Sequence, residues 1–451
     1  MQAFANEDEV YAFLNRFLNF ERAIVPTAYR LDRMEALKAL YGKPDEAYAI
    51  AHVAGSKGKG STATMLAAIL EDGKAPVGLY TSPHLLHFTE RIAVNRIPIA
   101  TDLLLAAAEE LRAGMEGKAP EDFPGGETPT YFELLTMLGF LCFKRAGCSR
   151  AVIEVGLGGR LDSTNVVKPI ACLITPIELE HTELLGDTIA KIASEKAGII
   201  KPGVPVYTSA QREDALAVIR DTAKRLSAPL RILDEETRIN ELRITEAGTA
   251  FSLSFKDDTL YNGKLELSTP LIGEVQARNA ALAALAALDL GLSPERVREG
   301  IARARLRARF EVMQGDPVVV LDGAHTPDSA AACARDFMTI FKGGGVLLFG
   351  CAKDKDPGAM ALALRDVADS LIVTKPGSFK ESEPAQIAEA FEKQGYRVCI
   401  VEDTVKAILL ALETARQAGK PLLVTGSFYL CAEAARLLAE RGREGSVSLL
   451  N

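Results

Sequence analysis

Gly55-Ser56-Lys57-Gly58-Lys59-Gly60-Ser61 lies between an apolar, β-rich run, Ala49–Ala54, and an amphipathic run that begins at Thr62. Glycines in a strand-to-helix loop let backbone N–H groups turn toward an anion, and the following helix adds its positive N-terminal end. In that setting Gly58, Lys59, Gly60 and Ser61 are candidate nucleotide contacts: Lys59 reaches β/γ-phosphates and the Ser61 hydroxyl faces magnesium. The loop is shorter than the generic phosphate-loop pattern. Taken alone, it leaves open a plain glycine-rich turn with two solvated lysines.

Such a loop needs a parallel sheet to hold it, and the hydrophobic pattern supplies one. Short β-rich runs alternate with amphipathic runs through most of the chain, the signature of α/β layers. Strands are predicted at Ala49–Ala54, Val77–Tyr80, Ala151–Val155, Cys172–Thr175 and Val204–Thr208, with helices at Thr62–Glu71 and Tyr131–Arg145. Around 231–270 the period changes to two in Phe251–Phe255 and Lys264–Ser268, which predicts a small antiparallel sheet. Helices follow at Gln276–Leu290 and after Ser293-Pro294. The basic stretch Ala302–Phe310 reads as a domain junction. Beyond it, strands at Val318–Leu321, Val346–Phe349, Leu371–Thr374, Val398–Val401 and Leu422–Thr425 restart the βα alternation. The expected architecture is α/β throughout: an N-terminal P-loop ATPase domain, 1–304, and a C-terminal Rossmann-like domain, 305–451.

The chain has 451 residues, 48% hydrophobic and 25% charged, with a formal charge of −8. Its mean hydropathy is +0.09. A net negative chain argues against nonspecific grip on nucleic acid or an anionic membrane, so anionic substrates must be caught by local basic groups. The first nine residues carry Glu7, Asp8 and Glu9 and no apolar core of a secretory signal. The longest apolar helical run, Ala280–Leu288, is far too short to span a bilayer. Seven cysteines without a CxxC pair read as reduced thiols, pointing to the cytoplasm.

Further motifs follow in order: Thr81–Ile92 (TSPHLLHFTERI), Thr130–Thr136 (TYFELLT), Val152–Val167 (VIEVGLGGRLDSTNVV), Glu180–Gly203 and Leu321–Ser329 (LDGAHTPDS). Together these resemble the folylpolyglutamate synthase and dihydrofolate synthase family of the Mur ligase superfamily, over about Leu31–Leu430. The resemblance implies a ligase of folate biosynthesis and one-carbon metabolism. It would join L-glutamate to a folate or dihydropteroate carboxylate through an acyl phosphate, with ATP and magnesium, two ions in all. It departs from the family pattern at Ser56-Lys57 (commonly Thr-Asn), Glu180 (commonly Asp), Thr326 (commonly Asn) and Arg309, which follows Ala308 where Gly is common.

The resemblance also assigns residues. Ser82, Glu154, His181 and Lys196 match metal ligands, Lys196 as a carbamate, because an ammonium cannot ligate magnesium. The bland alternative for Lys196 is a Glu195–Lys196 pair on an exposed helix face. Asn279, Arg309 and Asp322 match ATP contacts, and a planar guanidinium such as that of Arg309 suits phosphate. The neighbouring Arg303, Arg305 and Arg307 read as a solvated face. His325 matches the superfamily histidine near the nucleotide and incoming amino acid, and Ser427 a glutamate contact. Thr130, Tyr131 and Phe132, with Leu161, Asp162 and Ser163, match the pteridine end. There Phe132 either stacks on a flat heterocycle or fills helix core. Lys59, Lys196 and His325 would carry the chemistry, in a cytoplasmic monomer. A Mur-type amide ligase acting on another carboxylate, or a P-loop kinase, is the competing reading.

Overall fold

In the computed structural model, which describes residues 2–19, 30–209, 211–256, 260–377 and 380–447, the β-rich runs of the first half join into one eight-stranded sheet. Its strands are β1 (Ala49–Ala54), β2 (Val77–Tyr80), β3 (Ile92–Val94), β4 (Ile97–Pro98), β5 (Arg150–Glu154), β6 (Ala171–Ile174), β7 (Val206–Thr208) and β8 (Leu230–Ile232). The spatial order is β4-β3-β2-β5-β1-β6-β7-β8. Strands β2, β5, β1, β6, β7 and β8 run parallel, and β3 and β4 return antiparallel at one edge. The central strands are buried except at the first residues of β1 and β5, as expected of a parallel sheet covered on both faces.

Helices cover this sheet for legible reasons. Tyr131–Arg145 starts on a Thr130–Glu133 capping box and ends in Lys144 and Arg145, which complement the helix dipole. Its apolar residues pack with those of helices Glu7–Leu14, Leu31–Leu40 and Thr101–Met115 into one core. On the far side, Ile189–Ala197 and Glu213–Arg225 pack with β6 and β7.

Thr237–Thr245 (β9), Gly248–Phe255 (β10) and Lys264–Thr269 (β11) form the small antiparallel sheet, in the order β11-β10-β9. Strand β9 is additional to the two alternating segments expected there. Beyond it come helices Glu274–Asp289 and Pro294–Arg303.

The second sheet contains β12 (Glu311–Met313), β13 (Val319–Leu321), β14 (Gly345–Phe349), β15 (Ala368–Val373), β16 (Val398–Ile400) and β17 (Leu422–Thr425). It runs β12-β13-β17-β14-β15-β16, parallel except for β12. Phe337, Phe349, Phe391 and Leu364 lie in its core.

The chain divides into two compact units. One holds 1–241, 251–268 and 277–304; the other holds 242–250, 269–276 and 305–451. Helix Glu274–Asp289 therefore begins in one unit and continues in the other. Among the described residues, no helix is long and apolar enough to cross a membrane.

Candidate active site

The carboxyl ends of β2, β5, β1 and β6 lie side by side, and four candidate segments leave from them. This is the edge at which open α/β sheets bind ligands. After β1 the chain enters the glycine loop, with Gly58 in the left-handed region (φ 84°) as the residue preceding helix Lys59–Leu70. A side chain at Gly58 would meet Asn279 Oδ1 at 2.4 Å, so the loop and Asn279 are in close contact. The Ser56 and Lys57 amides both donate to Pro176 O, at 2.9 and 3.2 Å. The amides of the helix's first turn, which no intrahelical carbonyl can satisfy, are those left to face an anion. Lys59 Nζ folds back over the loop, donating to Gly55 O at 2.9 Å and Ser56 O at 3.3 Å. Ser61 is buried at the helix start.

Ser82 follows β2, and Glu154 is the last residue of β5. The two meet: the Ser82 amide donates to Glu154 Oε2 at 3.0 Å. His181, after β6, adopts a left-handed conformation (φ 50°) ahead of the short helix Thr182–Leu185. Lys196 is only 2% exposed and donates to Gly55 O at 2.8 Å and Glu180 Oε1 at 3.2 Å. The exposed-pair alternative therefore fails; it is Glu195 that faces outward, onto Arg160 at 2.9 Å. Lys57 Nζ approaches Glu180 Oε2 at 3.4 Å. The two departures at 57 and 180, absent from the candidate list, thus pair with each other beside Lys196. Their opposite charges were the only hint in the sequence.

Burial lowers the Lys196 ammonium to about 8, against the attraction of Glu180. Burial would raise Glu180, but Lys196, Lys59 and Lys57 override it and hold the carboxylate well below its ordinary range. Lys57 is itself lowered, chiefly by burial.

The glycine-rich motif after β5 packs backbone to backbone on helix Ile189–Ala197. A side chain at Gly159 would lie 2.7 Å from Glu195 O and 3.1 Å from Lys196 Cα. The Arg160 amide donates to Glu195 O at 2.7 Å, and Asn165 Nδ2 donates to Arg160 O and Gly198 O. Leu161 and Ser163 are half-buried, whereas Asp162 is buried. The Asp162 carboxylate accepts from Leu157 N and from the Thr164 amide and hydroxyl. Thr130 and Tyr131 are buried, and the capping residue Glu133 is held by buried Arg33 at 2.7 Å. Phe132 is half-buried, packs on the core and lies 6.3 Å from the Tyr80 ring, so it remains both wall and core.

The other candidates cluster in the second unit, at the ends of adjacent strands β13 and β17. Asp322 accepts from Phe310 N at 2.8 Å and Ala324 N at 2.9 Å. Burial raises its pKa, while Arg309 and these amides oppose the rise. Arg309 Cζ lies 4.0 Å from the centre of the Phe428 ring, a cation–π geometry. His325 Nδ1 is 2.8 Å from Gly323 O. Ser427 is buried and its Oγ accepts from Tyr429 N at 3.1 Å. Arg303, Arg305 and Arg307 are exposed.

Magnesium takes oxygen donors and keeps several waters. The Ser82 hydroxyl and the Glu154 carboxylate, joined in one corner, fit that demand. No group of three or more His, Cys, Asp or Glu side chains suited to a metal occurs among the described residues. His181 and Lys196 would complete a second ligand set only with Lys196 as an oxygen donor.

The family model described as the Mur ligase middle domain matches residues 53–288, and that of the Mur ligase glutamate ligase domain matches 308–428. The Bacillus subtilis dihydrofolate synthase/folylpolyglutamate synthase is 34% identical over 411 residues, covering 89% of this chain and 93% of that protein. A probable bifunctional folylpolyglutamate synthase/dihydropteroate synthase of Haloferax volcanii is 37% identical over 406 residues. That match covers 87% of this chain, which spans about half (46%) of the Haloferax protein. Among solved structures, Mycobacterium tuberculosis folylpolyglutamate synthase complexed with ADP and AMPPCP superposes with a TM-score of 0.85 at 31% identity, covering 95% of this chain and 97% of that one.

Proposed function

The chain belongs to the folylpolyglutamate synthase and dihydrofolate synthase family of Mur ligases, and we propose that it joins L-glutamate to a folate-type carboxylate with conversion of ATP to ADP and phosphate. The observation that carries this reading is the convergence of an anion-receptive loop, Ser82, Glu154 and buried Lys196 around the carboxyl ends of adjacent parallel strands. Family membership supplies the substrate class. Residues 1–304 take the ATP-binding role and 305–451 the glutamate-ligase role.

A carboxylate is inert toward an amine in water, because oxide would have to leave. In the proposed sequence the acceptor carboxylate oxygen attacks the γ-phosphorus and ADP leaves. The glutamate amine then attacks the acyl carbon, phosphate leaves, and the nitrogen loses a proton. The protein must hold two anions together and stabilise charge as it develops. Lys59, Gly58, Gly60 and Ser61 bind the phosphates, with Asn279, Arg309 and Asp322 as further nucleotide contacts. Magnesium, when bound, neutralises phosphate charge, and Ser82 and Glu154 would hold it, with His181 and a Lys196 carbamate as ligands of a second ion. His325 receives or steers the proton of the incoming amine, and Ser427 contacts glutamate. Thr130, Tyr131, Phe132, Leu161 and Ser163 line the acceptor site, with Asp162 shaping it. Seven unbridged cysteines support a cytoplasmic setting, and we take the working unit to be a monomer.

The test is phosphate release from ATP with the folate-type acceptor and glutamate each omitted in turn. Release should require both, with ADP as co-product. Release without glutamate would indicate a kinase, and AMP with pyrophosphate would indicate an adenylating enzyme.

A further inference from the structure

Asp162 was expected to touch substrate, yet its carboxylate is turned inward. Oδ2 accepts from Leu157 N at 2.8 Å, and Oδ1 accepts from Thr164 N at 2.9 Å and Thr164 Oγ1 at 2.5 Å. The Gly156 amide donates to the same group. Burial raises the Asp162 pKa and these four donors oppose the rise; with all four directed at its two oxygens, the carboxylate serves as an acceptor only. The Thr164 hydroxyl has one proton, and it goes to Asp162. The hydroxyl must therefore accept from His52, whose Nε2 lies 2.9 Å away. That fixes the proton of neutral His52 on Nε2. Full burial, with Lys201 adding to it, keeps the ring neutral by lowering its pKa to about 3.

The chain of hydrogen bonds joins two parts of the fold that the proposed reaction uses. His52 lies in β1, two residues before the end of the strand that feeds the phosphate loop, and is paired with Ile153 of β5. At the other end, Asp162 pins the 155–157 turn that leaves β5 just after Glu154. Phe132 lies directly on this turn: a side chain at Gly156 would come within 2.4 Å of Phe132 Cζ and 3.2 Å of Asp162 Oδ2. The turn is thus in direct contact with the Phe132 ring.

We propose that Thr164 is a positioning residue for the acceptor site, holding the 155–157 turn beneath Phe132 through the chain His52–Thr164–Asp162. The proposal rests on the ligase reading for what the site binds. It does not rest on it for the geometry.

Thr164→Val keeps the shape and removes the hydroxyl, leaving His52 Nε2–H without its acceptor. Amides of 155–158 should then exchange with deuterium about tenfold faster, while those of 55–61 stay unchanged, since one hydrogen bond of roughly 1.4 kcal/mol corresponds to that factor. The KM for a tetrahydrofolate or dihydropteroate acceptor should rise about tenfold, with the KM for ATP within about twofold, and Thr164→Ser should restore both readouts. Unchanged exchange at 155–158 in a folded Val variant overturns the proposal. So does faster exchange with an unchanged acceptor KM, or an equal rise in both KM values, the mark of general loosening. If Thr164→Val does not fold, Thr164→Ala is read the same way. A wild-type enzyme idle with both pterins would sink the ligase reading, while the exchange arm, which needs no substrate, still decides the positioning chain.

Discussion

The two candidate clusters handle charge in opposite ways. In the first unit, Lys57, Lys59 and Lys196 surround the Glu180 carboxylate, and Glu178 is the further acid acting on Lys57. Cations are in local excess, inside a chain whose net charge is −8. In the second unit the charges are settled on the spot: Asp322 accepts two backbone amides and Arg309 lies on the Phe428 ring. The first arrangement leaves positive charge in excess, and the second balances its charges in place. Buried like charges are tolerated in a fold where function needs them, because a bound phosphate group would complete the balance.

That contrast is open to direct attack, most severely at the phosphate loop. Lys59→Ala should reduce turnover on the order of 10²–10³-fold while circular dichroism shows the fold intact, because it deletes a preorganised charged donor. Near-normal turnover would mean that the excess charge does not serve the reaction. Lys196→Ala comes next. Activity should fall by about 10–100-fold, as for other residues that support a metal, with ATP binding retained in a nucleotide titration. Short carboxylic acids should restore part of the rate by occupying the vacated position. A rate near that of the wild type at saturating magnesium and low bicarbonate would remove Lys196 from the metal set.

The second unit should respond more mildly. Arg309→Lys keeps the charge but loses the flat stack on Phe428, worth about 1–2 kcal/mol when desolvated, so kcat/KM for ATP should drop about tenfold. If Arg309→Lys is silent and Arg309→Leu is not, charge alone matters there. The smallest effect concerns stability alone. Asp336 is raised from its ordinary 3.8 to about 6 by burial and by Asp322; the Glu274 amide and Arg335 pull the other way, while the Glu274 carboxylate adds to the rise. Between pH 4 and 6 the folded state holds more protons than the unfolded one, so stability falls as pH rises through that window and stays lower above it. Asp336→Asn should therefore be more stable than wild type at pH 7 by about 1–3 kcal/mol, read as a higher unfolding temperature, with the advantage gone near pH 4. A constant difference across pH would assign the effect to packing.

Much of the fold was legible because its signals are local. Tyr131–Arg145 was read to its exact ends, since a Thr-x-x-Glu box opens it and two basic residues close it. The antiparallel return of β3 and β4 was missed. Its turn places Asn95 and Arg96 at positive φ without a glycine, so no hairpin signature marks it. Strand β9 was hidden too: it carries Arg238, Glu241 and Arg243 and is largely exposed, so it has no apolar face to reveal its period. At the site, residue types were legible and pairings were not. Lys57 and Glu180 are 123 positions apart, and only the fold brings them within an ion pair. Asp162 entered the acceptor set through its family motif, and the sequence does not show the amides its carboxylate accepts.

The way the chain is shared between the two units also bears on its synthesis. Segments 242–250 and 269–276 belong to the second unit but precede most of it. As the chain leaves the ribosome, these segments emerge before residues 305–451 exist to pack against them. A domain that completes strictly before the next begins would leave these two segments without the partners they have in the second unit. The first unit must mature around two stretches awaiting partners, and cleavage at 304 would leave both orphaned.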